Sequence, residues 1–151
     1  MKFSTQARVR APAEDTFAAF SDFPALADRA RHRGVEIERL DHGHTVGRGL
    51  AWHARFVWNG RAREMRGEVV RFDPPSGYDA DLVVGGLEGR LDVEVTATGD
   101  ATSRVRIGLE LRPATMSARI LLKSLRLAKG RLDDRFAAAV RSHADRIGGK
   151  D

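Results

Sequence analysis

The sequence contains no cysteine among its 151 residues. This absence excludes a disulfide framework, a thiolate metal site and a cysteine nucleophile. The chain also lacks any apolar run near the roughly 18 residues that a membrane-spanning helix needs. Its N-terminus alternates polar and apolar residues, unlike the hydrophobic segment of a signal peptide. These absences predict a cytoplasmic protein.

The chain is basic, with a net charge of +5 and a pI of about 10.4. Such a charge suits nucleic acid, an anionic membrane or an acidic partner, and it equally suits an arginine-rich surface that only confers solubility. The length fits one domain with its own core. Because no repeat, linker or low-complexity segment interrupts the chain, residues 1–151 are predicted to form a single domain.

The N-terminal residues predict a strand followed by two short helices. Apolar and polar residues alternate from Phe3 to Val9, as in a half-buried strand. Pro12 suits the first turn of a helix, and the two acids that follow it favour the positive end of the helix dipole. Pro24 interrupts this helix, so a second one is predicted at about residues 25–31.

The middle of the chain predicts an antiparallel sheet with one dry and one wet face. Strands are expected at about residues 35–40, 50–58, 61–72, 78–84, 87–97 and 105–111. Asn59-Gly60 and Gly85-Gly86 suit hairpin turns, because such turns need residues that tolerate a positive φ. The apolar residues of the 61–72 strand change face part-way, which predicts a bulge near Gly67.

The C-terminal part predicts a single long amphipathic helix at about residues 114–147. Lys129 falls within its apolar face, and Gly130 is an expected kink that costs roughly 1 kcal/mol against alanine. A sheet of this length followed by one long helix has to wrap around that helix. The fold class is therefore α+β, with space for an apolar ligand between sheet and helix.

Residues 11–23, Ala-Pro-Ala-Glu-Asp-Thr-Phe-Ala-Ala-Phe-Ser-Asp-Phe, resemble the opening of the START-like (SRPBCC) superfamily. The order of elements is similar along the whole chain and looks closest to the bacterial polyketide cyclase/dehydrase and lipid-transport branch. The resemblance implies a helix-grip fold, in which a curved antiparallel sheet of six to seven strands wraps around the long C-terminal helix. It also implies two short helices after the first strand and a hydrophobic cavity, but no shared catalytic motif, so catalytic residues stay unknown.

The inward-facing rows supply the candidate wall of this cavity, which should be mostly apolar with a few polar groups. The candidates are Trp52, Phe56, Trp58, Met65, Tyr78, Leu82, Leu91, Val93, Leu125, Lys129 and Phe136. Tyr78 is the preferred handle for a carbonyl or phenol, and Lys129 for an anionic head group. Each apolar candidate can equally be core, and the Lys129 amine can equally extend into water.

Histidines and acids predict neither a metal site nor an acid–base pair. His42 and His44 form a pair in a turn without a third ligand, so no metal and no cofactor are expected. His53 alternates with the bulky inward residues and should lie on the outer face. No carboxylate is clearly directed into the predicted cavity, as acid–base catalysis would require.

A basic stripe on the C-terminal helix consists of Arg119, Lys123 and Arg126, near Ile120 and Leu127. Such a stripe can dock on an anionic membrane surface. It can also meet a ribosome, since a branch of the superfamily associates with ribosomes, or it can simply be solvated. The stripe lacks the interleaved aromatic residues of single-strand binders, so nucleic acid is not the expected partner.

The sequence thus predicts binding or transport of a small hydrophobic ligand, such as a lipid, a quinone or an aromatic, polyketide-like molecule. One alternative is an enzyme of the polyketide cyclase/dehydratase type, which holds a reactive chain in a productive shape. The other is a ribosome- or membrane-docking module that uses the basic stripe. The enzyme needs a buried titratable group facing its ligand, whereas the docking module needs only the stripe.

Overall fold

The computed structural model describes residues 1–41, 46–58 and 60–148. Over these residues the chain forms one seven-stranded antiparallel sheet and four helices. The strands are β1 Lys2–Val9, β2 Glu36–Arg39, β3 Ala51–Trp58, β4 Arg61–Asp73, β5 Gly77–Val84, β6 Leu87–Ala97 and β7 Ser103–Pro113. The helices are α1 Ala13–Phe20, α2 Phe23–His32, α3 Met116–Leu127 and α4 Lys129–Gly148. The predicted α+β class and helix-grip arrangement are confirmed.

The order of strands in the sheet is β1-β7-β6-β5-β4-β3-β2. Strands β2 to β7 therefore form a meander, and β1 returns to pair with β7. The outer face carries ion pairs between neighbouring strands, such as Arg90 with Asp81 at 2.6 Å and Arg71 with Asp79 at 2.9 Å. The inner face is apolar and packs against the helices, as the predicted dry face requires.

The bulge in β4 lies at Val70 rather than near Gly67. Val69 pairs with Ala80, whereas Arg71 pairs with Asp79, so Val70 is the extra residue. Gly67 instead lies in a regular part of the strand, with the indole of Trp52 across it. A Cβ at Gly67 would overlap that indole, so this glycine permits a close approach between neighbouring strands.

The predicted long C-terminal helix is present, but it is divided into α3 and α4 because the chain leaves helical geometry at Ala128. This residue has φ −101° and ψ 7°, and its N–H donates to the carbonyl of Leu125 at 3.1 Å. The break comes two residues before Gly130, where the kink was expected. The N-terminus of α3 is capped by Thr115, whose hydroxyl accepts from the N–H of Ala118 at 3.1 Å. None of the described helices is long and apolar enough to span a bilayer.

The main core lies where α1 and α4 meet the inner face of the sheet. Its buried members are Val9, Ala11, Ala13, Phe17, Phe20, Tyr78, Val93, Val95, Val105, Ile107, Val140 and Ala144. Polar groups buried there are hydrogen-bonded: the hydroxyls of Thr16 and Ser103 are 2.6 Å apart, and Ser103 donates to the carbonyl of Ala11 at 2.9 Å. A smaller cluster of Leu87, Ala118 and Leu122 lies beneath α3.

Candidate ligand-binding pockets

Over the part of the chain that the structure describes, the inner side of the sheet borders two separate apolar pockets, which share no lining residue, where a single cavity was expected. The first, called here the α2 pocket, has a volume of about 420 Å³ and lies between α2 and strands β2 and β3. It is lined by Phe23, Pro24, Leu26, Ala27, Asp28, Arg31, Ile37, Glu38, Arg39, Leu50, Trp52, Tyr78 and Leu91. Three predicted cavity residues, Trp52, Tyr78 and Leu91, are among them.

Aromatic rings form one wall of the α2 pocket. The ring of Phe23 stacks on the indole of Trp52, with centroids 6.2 Å apart and planes at 24°. The same ring meets Tyr78 edge-on at 5.3 Å. Phe23 is held at the start of α2, where Asp22 caps the helix by accepting from the N–H of Ala25 at 3.2 Å. This wall therefore offers flat apolar surfaces on which another ring can stack.

Charged side chains at the rim of the α2 pocket are paired with one another or with backbone. Arg31 forms a 2.8 Å ion pair with Asp28 and donates to the carbonyl of Ile37 at 3.0 Å. Arg39 binds Asp41 at 2.7 Å, and this hydrogen bond is the main reason that the pKa of the Asp41 carboxyl lies below its usual range. The rim can thus meet a polar end of a ligand, while the interior remains apolar.

Tyr78 lines the α2 pocket with its ring, but its hydroxyl is directed elsewhere. The hydroxyl donates to the carbonyl of Phe20 in α1 at 2.8 Å, and the side chain is only 3% exposed. Burial raises the pKa of Tyr78, so the phenol keeps its proton and remains a donor to this carbonyl. The expected role as a polar handle for the ligand is corrected, because its proton is used within the core.

The second pocket, called here the α3 pocket, has a volume of about 250 Å³ and lies between α3 and the other end of the sheet. It is lined by Phe56, Trp58, Arg63, Met65, Leu82, Val84, Leu87, Gly89, Leu109, Leu111, Leu121 and Leu125. Five predicted cavity residues are among them: Phe56, Trp58, Met65, Leu82 and Leu125. Arg63 is the single charged residue in this lining, and its guanidinium lies 5.4 Å from the centre of the Trp58 ring.

The remaining candidates, Val93, Lys129 and Phe136, lie outside both pockets. Val93 is 1% exposed and belongs to the main core, and the ring of Phe136 packs edge-on against Phe3 at 6.4 Å. The amine of Lys129 lies 2.8 Å from Asp133 and 5.1 Å from the centre of the Phe3 ring. The expected contact of Lys129 with an anionic head group is corrected, because α4 begins at this residue and places it against β1 and its own helix.

Sequence reasoning missed Phe23 in the α2 pocket and Arg63 in the α3 pocket. The signal for Arg63 was present, because it alternates with Met65 and so shares the inward row of β4. Phe23 was not among the predicted cavity residues. Its position opposite Trp52 depends on how α2 lies against β3, which no local pattern encodes.

His53 lies on the outer face, as expected, with its Nε2 2.8 Å from Glu64 and its Nδ1 3.8 Å from Glu38. His42 and His44 lie outside the described residues. Among the residues that are described, no group of three or more histidine, aspartate or glutamate side chains is arranged to hold a metal ion.

A larger depression of about 590 Å³ lies between β1 and the end of α4. Its walls include the charged residues Arg8, Arg10 and Asp145. Its charged walls do not suit an apolar ligand.

The model of the polyketide cyclase/dehydrase and lipid transport family matches residues 1–146. The chain belongs to this family. It is a START-like protein with a hydrophobic ligand-binding fold, as the opening motif and the order of elements indicated. No curated protein matches the chain.

Several solved structures share the fold at low sequence identity. A protein of Thermus thermophilus matches with a TM-score of 0.71 and 15% identity over 97% of both chains. The Zhui aromatase/cyclase of Streptomyces sp. R1128 matches with a TM-score of 0.69 and 13% identity over 97% of this chain and 94% of that one. Truncated norcoclaurine synthase of Thalictrum flavum has a TM-score of 0.69 and 15% identity over 97% and 92% of the two chains.

Proposed function

We propose that the protein binds and carries a small planar, hydrophobic ligand of the quinone or aromatic polyketide type in the α2 pocket. The observation that supports this most is the aromatic wall in which Phe23 stacks on Trp52 and meets Tyr78 edge-on. The volume of about 420 Å³ lies within the range of small-molecule sites, roughly 300–1,000 Å³. An aromatic ligand gains stacking energy on such a wall beyond the burial of its surface, which a saturated lipid chain does not.

Proteins with similar folds give this ligand class further support. Norcoclaurine synthase of Thalictrum flavum has been solved in complex with dopamine and hydroxybenzaldehyde, which are small aromatic molecules. The Streptomyces protein is an aromatase/cyclase. Their identity to this chain is 15% and 13%, so they support the type of ligand and not a shared set of site residues.

The exposure and ion pairing of the carboxylates at the rim of the α2 pocket favour binding over catalysis. Asp28 and Glu38 are both exposed, and Asp28 is neutralised by Arg31 at 2.8 Å. An acid–base catalyst needs a titratable group that faces the ligand and whose pKa is tuned by its surroundings. A cyclase or dehydratase activity is therefore the alternative, and we expect no turnover to accompany binding.

The test is calorimetric titration of the protein with menadione, a naphthoquinone. Leu91→Trp should abolish binding because the larger side chain fills the α2 pocket. The matched control is Leu109→Trp on the paired strand, which enlarges a residue of the α3 pocket and should leave binding unchanged. Menadione binding that persists in a folded Leu91→Trp variant, or no binding to the unaltered protein, contradicts the proposal.

A second function, docking on an anionic membrane surface, is favoured by the outer face of α3. Met116, Ile120 and Leu127 are 74%, 67% and 92% exposed. Their spacing of four and then seven residues puts them on one side of the helix, opposite the buried Ala118 and Leu122. The helix therefore has an apolar face toward the sheet and a second one toward solvent.

The basic stripe lies beside this exposed apolar face. Arg119, Lys123 and Arg126 are all exposed, and α3 contains no acidic residue. None of the three forms an ion pair with the part of the chain that the structure describes. Cations attract anionic lipid head groups while apolar side chains enter the interface, so a bilayer suits both features. RNA would use the cations but not the aliphatic face.

Vesicle co-sedimentation tests the docking proposal. We expect binding to vesicles of phosphatidylcholine with phosphatidylserine, weak binding to phosphatidylcholine alone, and loss of binding at high salt. The variant Arg119→Gln/Lys123→Gln/Arg126→Gln should lose about 100-fold in affinity, at about 1 kcal/mol for each cation near the surface. The control is Arg131→Gln/Arg135→Gln/Arg141→Gln in α4, which removes the same charge from exposed positions.

Two outcomes contradict docking. One is equal loss of vesicle binding in both triple variants, because the net charge of the protein would then explain it. The other is concentration-dependent dimerisation that Ile120→Ser abolishes, since the apolar face would then be covered by a second copy of the chain.

A further inference from the structure

Arg63 is a cation on the apolar inner face of the sheet. It pairs with Phe56 of β3 and shares the inward row of β4 with Met65. Side chains alternate along a strand, so this register directs the Arg63 side chain to the side that α3 covers. A cation is unusual at such a position unless it has a partner.

The described part of the chain provides Arg63 with no hydrogen-bonding partner for its buried nitrogen. Its Nε is shielded from solvent and makes no hydrogen bond, and no carboxylate among the described residues forms an ion pair with its guanidinium. Burying an unsatisfied donor is unfavourable. Because Nε is shielded while Arg63 lines the pocket, a ligand there meets the terminal N–H groups of the guanidinium.

The guanidinium of Arg63 lies over the ring of Trp58. The guanidinium carbon lies 5.4 Å from the centre of the ring, a distance at which the planar group is attracted to the aromatic face. This contact uses the face of the ring and does not consume the N–H groups of the guanidinium, which can still donate to a carboxylate. Since Arg63 and Trp58 both line the α3 pocket, the guanidinium belongs to the pocket wall.

The rest of the α3 pocket is suited to a hydrocarbon chain. Apart from Arg63 and Gly89, its lining consists of apolar side chains, with Leu121 and Leu125 contributed by α3. It contains no acidic residue that would repel an anion. An apolar pocket with a single cation in its wall matches a molecule with an apolar tail and one anionic head.

We propose that the α3 pocket is a second binding site, which takes an amphipathic carboxylate with its tail among the leucines and its head group on Arg63. The site shares no lining residue with the α2 pocket, so it stands or fails independently of the proposed aromatic ligand. The small volume of about 250 Å³ restricts the tail to a short or medium chain.

The two tryptophans of the chain allow each pocket to be followed separately, because Trp58 lines the α3 pocket and Trp52 the α2 pocket. In the variant Trp52→Phe, the fluorescence of Trp58 reports titration with decanoate. Decanol, which has the same chain without the charge, is the matched ligand. We expect saturable binding of decanoate at least about tenfold tighter than of decanol, because hydrogen bonds to charged groups are the stronger ones.

Arg63→Met should weaken decanoate binding by about tenfold or more and leave decanol binding equal or tighter. The control is Arg66→Met, which removes an exposed arginine from the opposite face of the same strand and should change neither affinity. Equal affinity of the unaltered site for decanoate and decanol overturns the proposal without any variant. So does a response of Trp52 alone, measured in Trp58→Phe, because the ligand would then occupy the α2 pocket.

Discussion

The two ends of the inner face differ although the same alternating strands form both. Beneath α1 and α4, Phe17, Phe20 and Val93 are 5%, 6% and 1% exposed, and side chains fill the centre of the main core. The depression of about 590 Å³ lies at its edge, near the end of α4. Beneath α3, the buried cluster is limited to Leu87, Ala118 and Leu122, and a pocket of about 250 Å³ remains. An inward row of apolar residues therefore becomes core or pocket according to the helix that covers it.

The difference follows from what each helix contributes. Helix α4 presents Val140, His143 and Ala144 to the core, and His143 joins it to both other helices there. Its Nδ1 lies 2.8 Å from Arg29 of α2, and its Nε2 lies 3.1 Å from the carbonyl of Ala19 in α1. Helix α3 has only Ala118 and Leu122 buried and directs its large residues Met116, Ile120 and Leu127 outward.

The largest expected effect is a loss of stability, which we compare between one phenylalanine beneath α1 and one beneath α3. Phe17→Ala should lower the free energy of unfolding by about 3–5 kcal/mol, because it leaves a cavity beside Phe72 and Tyr78. Phe56→Ala should lower it by about 1 kcal/mol, because this half-buried ring already borders a pocket. Denaturant unfolding measures both, and equal losses would remove the distinction between filled and open ends.

A smaller effect is expected at the boundary between the two pockets, where Trp52 lies across Gly67. Gly67→Ala should lower the free energy of unfolding by about 1–3 kcal/mol, because the new methyl group overlaps the indole. The indole should also move, which the fluorescence of Trp52 reports in a Trp58→Phe background. The double variant Gly67→Ala/Trp52→Leu should lose less than the sum of the single losses.

A glycine in open surroundings provides the control for this overlap. Gly130 in α4 has no neighbouring atom where a Cβ would lie, so Gly130→Ala should stabilise the protein by up to about 1 kcal/mol. If the loss in free energy of unfolding in the double variant equals the sum of the two single losses, the overlap between the methyl group added at position 67 and the Trp52 indole is contradicted.

The smallest expected effect is a dependence of stability on pH at the filled end. Burial, and to a lesser degree Arg29 and Arg146, lower the pKa of His143 below its ordinary value of 6.5, and the hydrogen bond to Ala19 opposes them. The unfolded chain therefore binds more protons below pH 6.5, and the free energy of unfolding should fall as the pH is lowered through this value.

Thermal unfolding at pH 7.5 and pH 5.5 measures this effect. His143→Gln should reduce the difference between the two pH values, whereas His32→Gln, on the exposed side of α2, should leave it unchanged. An unchanged difference in His143→Gln would assign the pH dependence to other groups.

Much of the fold could be predicted because the signals were local. The alternation of residues 87–97 and the Gly85-Gly86 turn gave β6 and its hairpin at the observed bounds. The position of the bulge could not be found from local signals. Gly67 suggested a bulge, but a glycine is present there because the indole of Trp52 in β3 leaves no room for a Cβ. Likewise Tyr78 was correctly directed inward, but the partner of its hydroxyl is a carbonyl 58 residues away.

By itself, the sequence determined the order of the elements, the inward rows of the sheet and the basic stripe of α3. These depend on periods of two and 3.6 residues, which the chain carries locally. Only the tertiary structure decided that the helix breaks at Ala128 and that the apolar lining of the inner face is divided between the α2 and α3 pockets. It also decided that Arg63 lines the α3 pocket with its Nε making no hydrogen bond to a described residue. Whether an inward row is filled depends on side chains from distant elements that meet only when the chain folds.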